Sequence, residues 1–153
     1  MFKVLFVCTG NTCRSSMAEE LLKSILKNHN IEDKIHISSS GTAVDVSLPA
    51  SDNAIAALKE LELDLTKHRS KLVTRELIDE MDLVLAMTEA HKDYILKIMP
   101  EAKEKIFTLI EYASGEKGDI ADPYRMDLET YRKCRDDILK YLEMVLEKIK
   151  RKA

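Results

Sequence analysis

Four short runs of apolar and β-branched residues recur along the chain, each with the length of a β-strand. Segments with apolar residues three or four positions apart, the spacing of amphipathic helices, separate these runs. The predicted strands are KVLFV (3–7), KIHIS (34–38), LVLAM (83–87) and KIFTL (105–109). The predicted helices cover residues 17–26, 51–63, 89–99 and 128–150.

The alternation of strands and helices predicts an α/β fold of three layers, in which a central four-stranded parallel sheet carries helices on both faces. The near-continuous apolar strands agree, because the strands of a parallel sheet are buried on both sides. Ligands of such folds bind beyond the carboxyl ends of the strands. The loop after the first strand, residues 8–15, therefore lies where a site is expected.

Length and composition narrow the class of protein. The chain has 153 residues, of which 45% are hydrophobic and 33% charged, and this predicts one globular domain over 1–153. A formal net charge of −3 is not the basic footprint of a nucleic-acid-binding protein, so no nucleic-acid partner is expected. With no signal-like or membrane-spanning stretch and three cysteines, we expect a cytoplasmic monomer without a membrane partner.

The loop after the first strand has the composition of an anion-binding loop. It is short and enters a helix, so its backbone N–H groups can turn inward at the positive end of the helix dipole. Gly10 and Asn11 are the residue types that best adopt the positive φ of such a curl. The guanidinium of Arg14 can bind two phosphate oxygens at once. The residues expected around the phosphate are Thr9, Gly10, Asn11, Thr12, Cys13 and Ser15.

Cys8 begins this loop, and five residues separate it from Arg14. A helix N-terminus and a guanidinium both stabilise a thiolate, which makes Cys8 a candidate nucleophile toward a bound phosphoryl group. The residues alone also allow a buried structural cysteine, or a metal site formed by Cys8, Cys13 and histidines. The spacing fits no common zinc motif and Arg14 would repel a cation, so no metal is expected. The patterns GxxxxGK[ST] and GxGxxG are absent, so neither a nucleotide nor another cofactor is expected.

Cleavage of a phosphate ester also needs an acid that protonates the leaving group and later activates water. The stretch EKGDIADPYRM offers Asp119 and Asp122. Pro123 favours an extended Asp122, and a nearby phosphoryl dianion favours the protonated form of its carboxyl. Asp119 is interpreted as a turn residue. An ordinary Asp-Pro turn remains the alternative for Asp122.

These motifs together resemble those of the low molecular weight protein tyrosine phosphatases. The resemblance implies a phosphocysteine mechanism in which Cys8 is the nucleophile, Arg14 the phosphate clamp and Asp122 the general acid and base. The matching stretches, in family order, are VCTGNTCRSSMAE (7–19), SSGT (39–42), HRSK (68–71), DLVLAMTEAHK (82–92) and DPY (122–124).

The resemblance assigns supporting roles to residues that would otherwise be interpreted as turn or surface positions. Asn11, Ser40 and His68 correspond to a hydrogen-bonded set that holds the loop in shape. Ser15 corresponds to the hydroxyl that bonds the Cys8 thiolate. From the residues alone, Ser40 is a turn residue before a glycine and His68 a solvated loop histidine.

Cys13 matches a second loop cysteine of the family, a redox partner that could form a reversible disulfide with Cys8. The alternative is a spare small residue. Cys134 falls in the apolar spacing of the last helix and is expected in the core.

At the entry of the first helix, Ser16 stands where proline is usual. Ser16 and Glu19 are expected to form a capping box, with Ser15 as an alternative N-cap.

The family divides by its phosphorylated protein substrate. Thr12 stands where tyrosine phosphatases commonly carry an apolar residue, and a threonine hydroxyl can accept a hydrogen bond from a guanidinium N–H. The stretches CTGNTCRS, LVLAMTEAHK and FTLIEYASGEKGD resemble bacterial protein-arginine phosphatases. We therefore favour phosphoarginine over phosphotyrosine, with Tyr124 as an aromatic wall for either group. Arg125 and Met126 depart from the residues common at this rim.

Two other functions fit the sequence less well than phosphatase activity. Arsenate reductases share the fold and a similar loop, but no cysteine pair lies between residues 70 and 100, where their relay is expected. A catalytically silent phosphoprotein-binding module usually lacks the nucleophile or the acid, and this chain has candidates for both.

Overall fold

A computed structural model describes all 153 residues. Four parallel strands form one sheet in the order β2-β1-β3-β4. The strands are β1 (Phe2–Cys8), β2 (Ile35–Gly41), β3 (Leu83–Ala86) and β4 (Ile106–Thr108). The α-helices are α1 (Arg14–Asn28), α2 (Asp52–Lys59), α3 (Arg75–Glu80), α4 (Glu89–Ile98), α5 (Leu109–Ser114) and α6 (Leu128–Ile149). Short 3₁₀ turns cover Pro100–Lys105 and Lys150–Lys152.

The two faces of the sheet pack into separate hydrophobic clusters. Val4 and Phe6 of β1 belong to the larger cluster, which includes the apolar sides of α1, α2 and α6. Leu5 and Val7 belong to the smaller one, which includes residues of α3 and α4. Successive side chains of a strand point to opposite faces, so this alternation confirms the predicted three layers.

The predicted element boundaries were wrong in places. Strand β2 continues through three serines to Gly41, because its backbone pairs with β1 as far as Cys8 opposite Gly41. Helix α2 ends at Lys59 instead of near 63, and Glu62 takes a left-handed backbone with φ 63°. Helices α3 and α5 were not predicted. Both are six residues long and begin at a threonine N-cap.

The sheet brings β1 and its following loop to the centre of the molecule, since β1 has a strand on either side. The loop therefore meets the chain that leaves β2 and the turn that follows β3.

None of the helices combines the length and the apolar character needed to cross a membrane.

Candidate active site

The loop between β1 and α1 curls at Asn11, the one residue of the loop with a positive φ, at 56°. Asn11 is fully buried. Gly10, the other residue expected to have a positive φ, does not have one, and a Cβ there would meet only the Thr12 hydroxyl at 3.6 Å. Asparagine alone therefore supplies the left-handed turn.

Helix α1 begins directly in this loop, with Cys13 as its N-cap residue and no side-chain cap. The predicted capping box was wrong: the Ser16 hydroxyl donates to the Cys13 carbonyl at 3.0 Å, and Glu19 accepts from Ser39 at 2.6 Å. Ser15 is not the N-cap either, since it lies inside the helix. The first N–H groups of α1 therefore have no side-chain cap, and such groups can bind an anion.

The buried amide of Asn11 organises the underside of the loop. Its Nδ2 donates to Ser15 Oγ at 2.8 Å and to Ser39 Oγ at 2.9 Å, and its Oδ1 accepts from the Lys71 backbone N–H at 3.1 Å. The Asn11 carbonyl accepts from His68 Nε2 at 2.6 Å. Asn11 and His68 are therefore hydrogen-bonded in the arrangement that the resemblance implied.

Ser40 does not belong to this set through its side chain, so that prediction is corrected. Its hydroxyl is buried without a hydrogen-bond partner, whereas the neighbouring Ser39 hydroxyl bonds both Asn11 and Glu19. Neighbouring residues of a strand point to opposite faces, and Ser39 pairs with Phe6 on the α1 side. Ser40 contributes only its carbonyl, which accepts from Ser15 Oγ at 3.4 Å.

Cys8 ends β1 with its sulfur at the floor of the loop, and the residue is 2% exposed. Its Sγ lies 2.9 Å from Ser15 Oγ and 3.3 Å from the Asn11 backbone nitrogen, which donates to it. Ser15 Oγ accepts from the Asn11 amide, and its single hydrogen can point either at the sulfur or at the more distant Ser40 carbonyl. Both contacts stabilise negative charge on Cys8.

Arg14 connects the loop to the segment that carries Asp122. The arginine is 5% exposed, its Nη1 donates to the Ile120 carbonyl at 3.0 Å, and its Nη2 lies 3.5 Å from Asp122 Oδ2. The Asp122 side chain is 51% exposed, and its Oδ1 accepts from the Tyr124 N–H at 3.0 Å. The candidate clamp and the candidate acid are thus neighbours at the mouth of the loop.

A cavity of about 370 Å³ opens above Cys8. Thr9, Gly10, Thr12 and Cys13 line it together with Cys8, the candidate nucleophile, and Arg14. The facing walls come from segment 43–48, Asp122 and Tyr124. Of the residues expected to surround a phosphate, Asn11 and Ser15 lie under the loop instead of lining the cavity. Tyr124 is 55% exposed, and the Arg125 guanidinium lies 5.3 Å from its ring centre.

The family described as low molecular weight phosphotyrosine protein phosphatase matches residues 3–153. The chain belongs to this family. It is 42% identical to the protein-arginine-phosphatase of Geobacillus stearothermophilus, over 97% of this chain and 96% of the relative. It is 38% identical to the protein-arginine-phosphatase of Bacillus subtilis strain 168, over 97% of each chain.

A solved structure of a YwlE arginine phosphatase mutant with a phosphorylated active-site serine superposes with a TM-score of 0.92 at 37% identity. The match covers 97% of this chain and 96% of that one. Membership in a family of protein phosphatases confirms the predicted enzyme class, a hydrolase that acts on phosphorylated proteins.

Sequence reasoning missed three residues of this phosphatase site. His91 is buried and bonds the Thr9 hydroxyl at 2.7 Å, and burial together with the nearby Arg14 charge lowers its pKa to about 4. Gly41 leaves no room for a side chain, because a Cβ would lie 2.5 Å from the Thr9 carbonyl oxygen. Asp119 was predicted to be a turn residue, but its Oδ1 accepts from the Glu89 N–H at the start of α4 at 2.8 Å.

The remaining cysteines are free thiols. Cys13 Sγ lies 3.3 Å from Tyr131 OH and 3.4 Å from Ser51 Oγ, and burial raises the pKa of Tyr131 to about 12. Cys134 lies in the larger core cluster, as expected, and burial raises the pKa of its thiol to about 12. The pairing of Cys13 with Cys8 stays a prediction.

The contrast between Ser39 and Ser40 predicts opposite effects for the same substitution. Ser39→Ala removes a hydroxyl that bonds Asn11 and Glu19, so the free energy of unfolding should fall by about 1–3 kcal/mol. Ser40→Ala removes an unpartnered buried hydroxyl and should leave that free energy unchanged or higher by up to about 1 kcal/mol. Urea denaturation of both variants checks this. Equal losses, or a larger loss for Ser40→Ala, would show that Ser39 does not support the loop.

Proposed function

We propose that the protein is a protein-arginine phosphatase that hydrolyses the P–N bond of phosphoarginine in proteins through a phosphocysteine intermediate. One observation carries the mechanism: a partnered sulfur, a buried guanidinium and an exposed carboxylate, those of Cys8, Arg14 and Asp122, line the same cavity. These are the nucleophile, the charge clamp and the proton donor that phosphoryl transfer needs.

In the first step the Cys8 thiolate attacks phosphorus while the bond from phosphorus to the guanidino nitrogen breaks. Asp122, protonated at this stage, donates its proton to the departing nitrogen. The arginine side chain therefore leaves as a neutral guanidine and not as an anion. The inward N–H groups of the loop and the Arg14 guanidinium bind the phosphoryl oxygens as charge shifts onto them.

In the second step water attacks the phosphocysteine. Asp122, now a carboxylate, accepts a proton from the water, and the bond between phosphorus and sulfur breaks. The Ser15 hydroxyl, 2.9 Å from the sulfur, donates to the departing Cys8 thiolate and makes it a better leaving group. Inorganic phosphate then leaves the cavity.

The preference for phosphoarginine rests on the polar groups that line the cavity beside the anion-binding loop. Thr12, with its hydroxyl, and Asp45, with its carboxylate, both lie in its wall. Each can accept a hydrogen bond from a guanidinium N–H, and an aryl phosphate has no N–H to offer. The two protein-arginine-phosphatases to which the chain is 42% and 38% identical support this choice.

Phosphotyrosine remains the second candidate, because the exposed Tyr124 ring at the mouth can pack against a phenyl group as well as a guanidinium. Arsenate reduction is not favoured. The cysteine outside the loop, Cys134, is a buried thiol with a raised pKa, which makes it a poor relay nucleophile.

This proposal also includes four predictions: a single domain over 1–153, a monomeric state, a cytoplasmic location and a reversible Cys8–Cys13 disulfide.

Competition between matched phosphoarginine and phosphotyrosine peptides tests the substrate. We expect kcat/KM to be at least about tenfold higher for phosphoarginine, because a site built to accept N–H donors rejects a group that lacks them. Cys8→Ser, the control, should bind inorganic phosphate but release none from either peptide. Equal rates or a tyrosine preference would overturn the substrate; turnover by Cys8→Ser would overturn the covalent mechanism.

Asp45 provides a second test of the same preference. It lies in the exposed segment 43–48 and lines the cavity, so its carboxylate can accept from the distal guanidinium N–H groups of the substrate. Asp45→Asn should lower kcat/KM for the phosphoarginine peptide by about tenfold, the worth of one charge-assisted hydrogen bond. The phosphotyrosine rate should stay constant or rise, because a negative charge near the phosphate is removed.

The matched control for that variant is Asp33→Asn. Asp33 is also exposed, but it precedes β2 and so lies at the amino end of that strand, whereas Asp45 follows its carboxyl end. Its replacement changes the net charge by the same amount. Asp33→Asn should leave both rates unchanged. A parallel fall in both rates for Asp45→Asn, or no change in either, would contradict guanidinium recognition by this residue.

A further inference from the structure

His91 is a buried, polar side chain that the proposed chemistry does not use. It is 7% exposed and does not line the cavity, yet both ring nitrogens have partners. Nε2 lies 2.7 Å from Thr9 Oγ1 and Nδ1 lies 2.9 Å from Thr88 Oγ1. A ring bonded at both nitrogens cannot rotate without losing a hydrogen bond, so His91 fixes the distance between these two threonines.

The two threonines belong to different parts of the site. Thr9 directly follows the nucleophile and lines the cavity, while its carbonyl accepts from Ala43 N–H at 3.0 Å. Thr88 is the N-cap of α4 and accepts from the His91 N–H at 3.1 Å. The histidine therefore joins the phosphate-binding loop to residues 87–91, the turn after β3 together with the first residues of α4.

That turn also holds the segment that carries the proposed acid. The Met87 carbonyl accepts from the Ile120 N–H at 2.9 Å, and the Glu89 N–H donates to Asp119 Oδ1 at 2.8 Å. On the other side, the Met87 N–H donates to the Val7 carbonyl at 2.9 Å, one residue before Cys8. The turn is thus bonded both to the end of β1 and to the two residues that precede Ala121 and Asp122.

We propose that His91 is a positioning residue that sets the proposed acid, Asp122, in register with the Cys8 nucleophile through Thr9 and the turn at 87–91. The proposal rests on the function proposed above. A nucleophile and an acid that lie on separate loops must be held together within a fraction of an ångström, because small misplacements cost large factors in rate. His91 is the side chain that bonds the nucleophile loop and the turn that holds the acid segment. Burial and the Arg14 charge lower its pKa to about 4, so the ring stays neutral and keeps one donor and one acceptor at neutral pH.

The dependence of rate on the leaving group reports the acid specifically. Phenyl phosphate expels a poor leaving group and needs protonation, whereas p-nitrophenyl phosphate expels a good one and needs it little. Thr9→Val keeps the shape of the side chain but removes the hydroxyl that His91 binds. We expect it to lower kcat/KM about tenfold for phenyl phosphate and about twofold for p-nitrophenyl phosphate. Thr9→Ser, which keeps the hydroxyl, should keep the ratio of the two rates at the wild-type value.

His91→Leu should give the same change in the ratio of the two rates. The double variant with Thr9→Val should be no more impaired than either single variant, because both substitutions break the same hydrogen bond between Thr9 and His91. An unchanged ratio, additive losses, or a Thr9→Ser variant as impaired as Thr9→Val would overturn the inference. If His91→Leu fails to fold, the comparison of Thr9→Val with Thr9→Ser decides alone, since Thr9 is exposed.

Asp122→Asn separates this inference from the proposed function. If Asp122→Asn shifts the ratio strongly and Thr9→Val does not, Asp122 is the acid and only the positioning role of His91 is wrong. If Asp122→Asn leaves the ratio unchanged, the general-acid role itself fails, and the positioning role fails with it.

Discussion

The site depends on the left-handed backbone of one buried residue, Asn11. That conformation costs an L-residue on the order of 1–2 kcal/mol, and less for asparagine. Five hydrogen bonds hold it: three from the side-chain amide, one from the backbone nitrogen to Cys8 and one from His68 to the carbonyl. Each contributes about 0.5–1.5 kcal/mol, so together they exceed the strain. The curl directs the Asn11 N–H at the sulfur, and α1 begins without a side-chain cap.

The fold places the partners of this loop on three neighbouring strands. The last residue of β2, Gly41, lies so close to the Thr9 carbonyl that a side chain at this position would collide with it. The turn after β3 bonds both the loop and the segment before Asp122. Arg14 then joins the loop to the segment of the candidate acid through Ile120 and Asp122. The candidate nucleophile and clamp, Cys8 and Arg14, lie in one loop, and the fold brings Asp122 to it from a distant part of the sequence.

Much of this was predictable because its causes are local. The apolar runs, the helical spacing and the short loop from Cys8 to Arg14 indicate the sheet and the anion site. The choice of Ser39 over Ser40 was not, since three serines in a row give no signal of which face each takes. His91 bonds Thr9 across 82 positions, which no local pattern reveals. Helix α5 was missed because it starts directly where β4 ends and continues its apolar run.

The central claim is that the Cys8 sulfur accepts the phosphoryl group. The most direct test quenches the reaction rapidly during turnover of an arginine-phosphorylated protein. Mass spectrometry then identifies which peptide of the enzyme carries acid-stable or acid-labile phosphate. The account predicts a transient phosphate adduct on the peptide that contains Cys8. Steady turnover with no adduct on Cys8, or with the phosphate on another residue, would contradict the account.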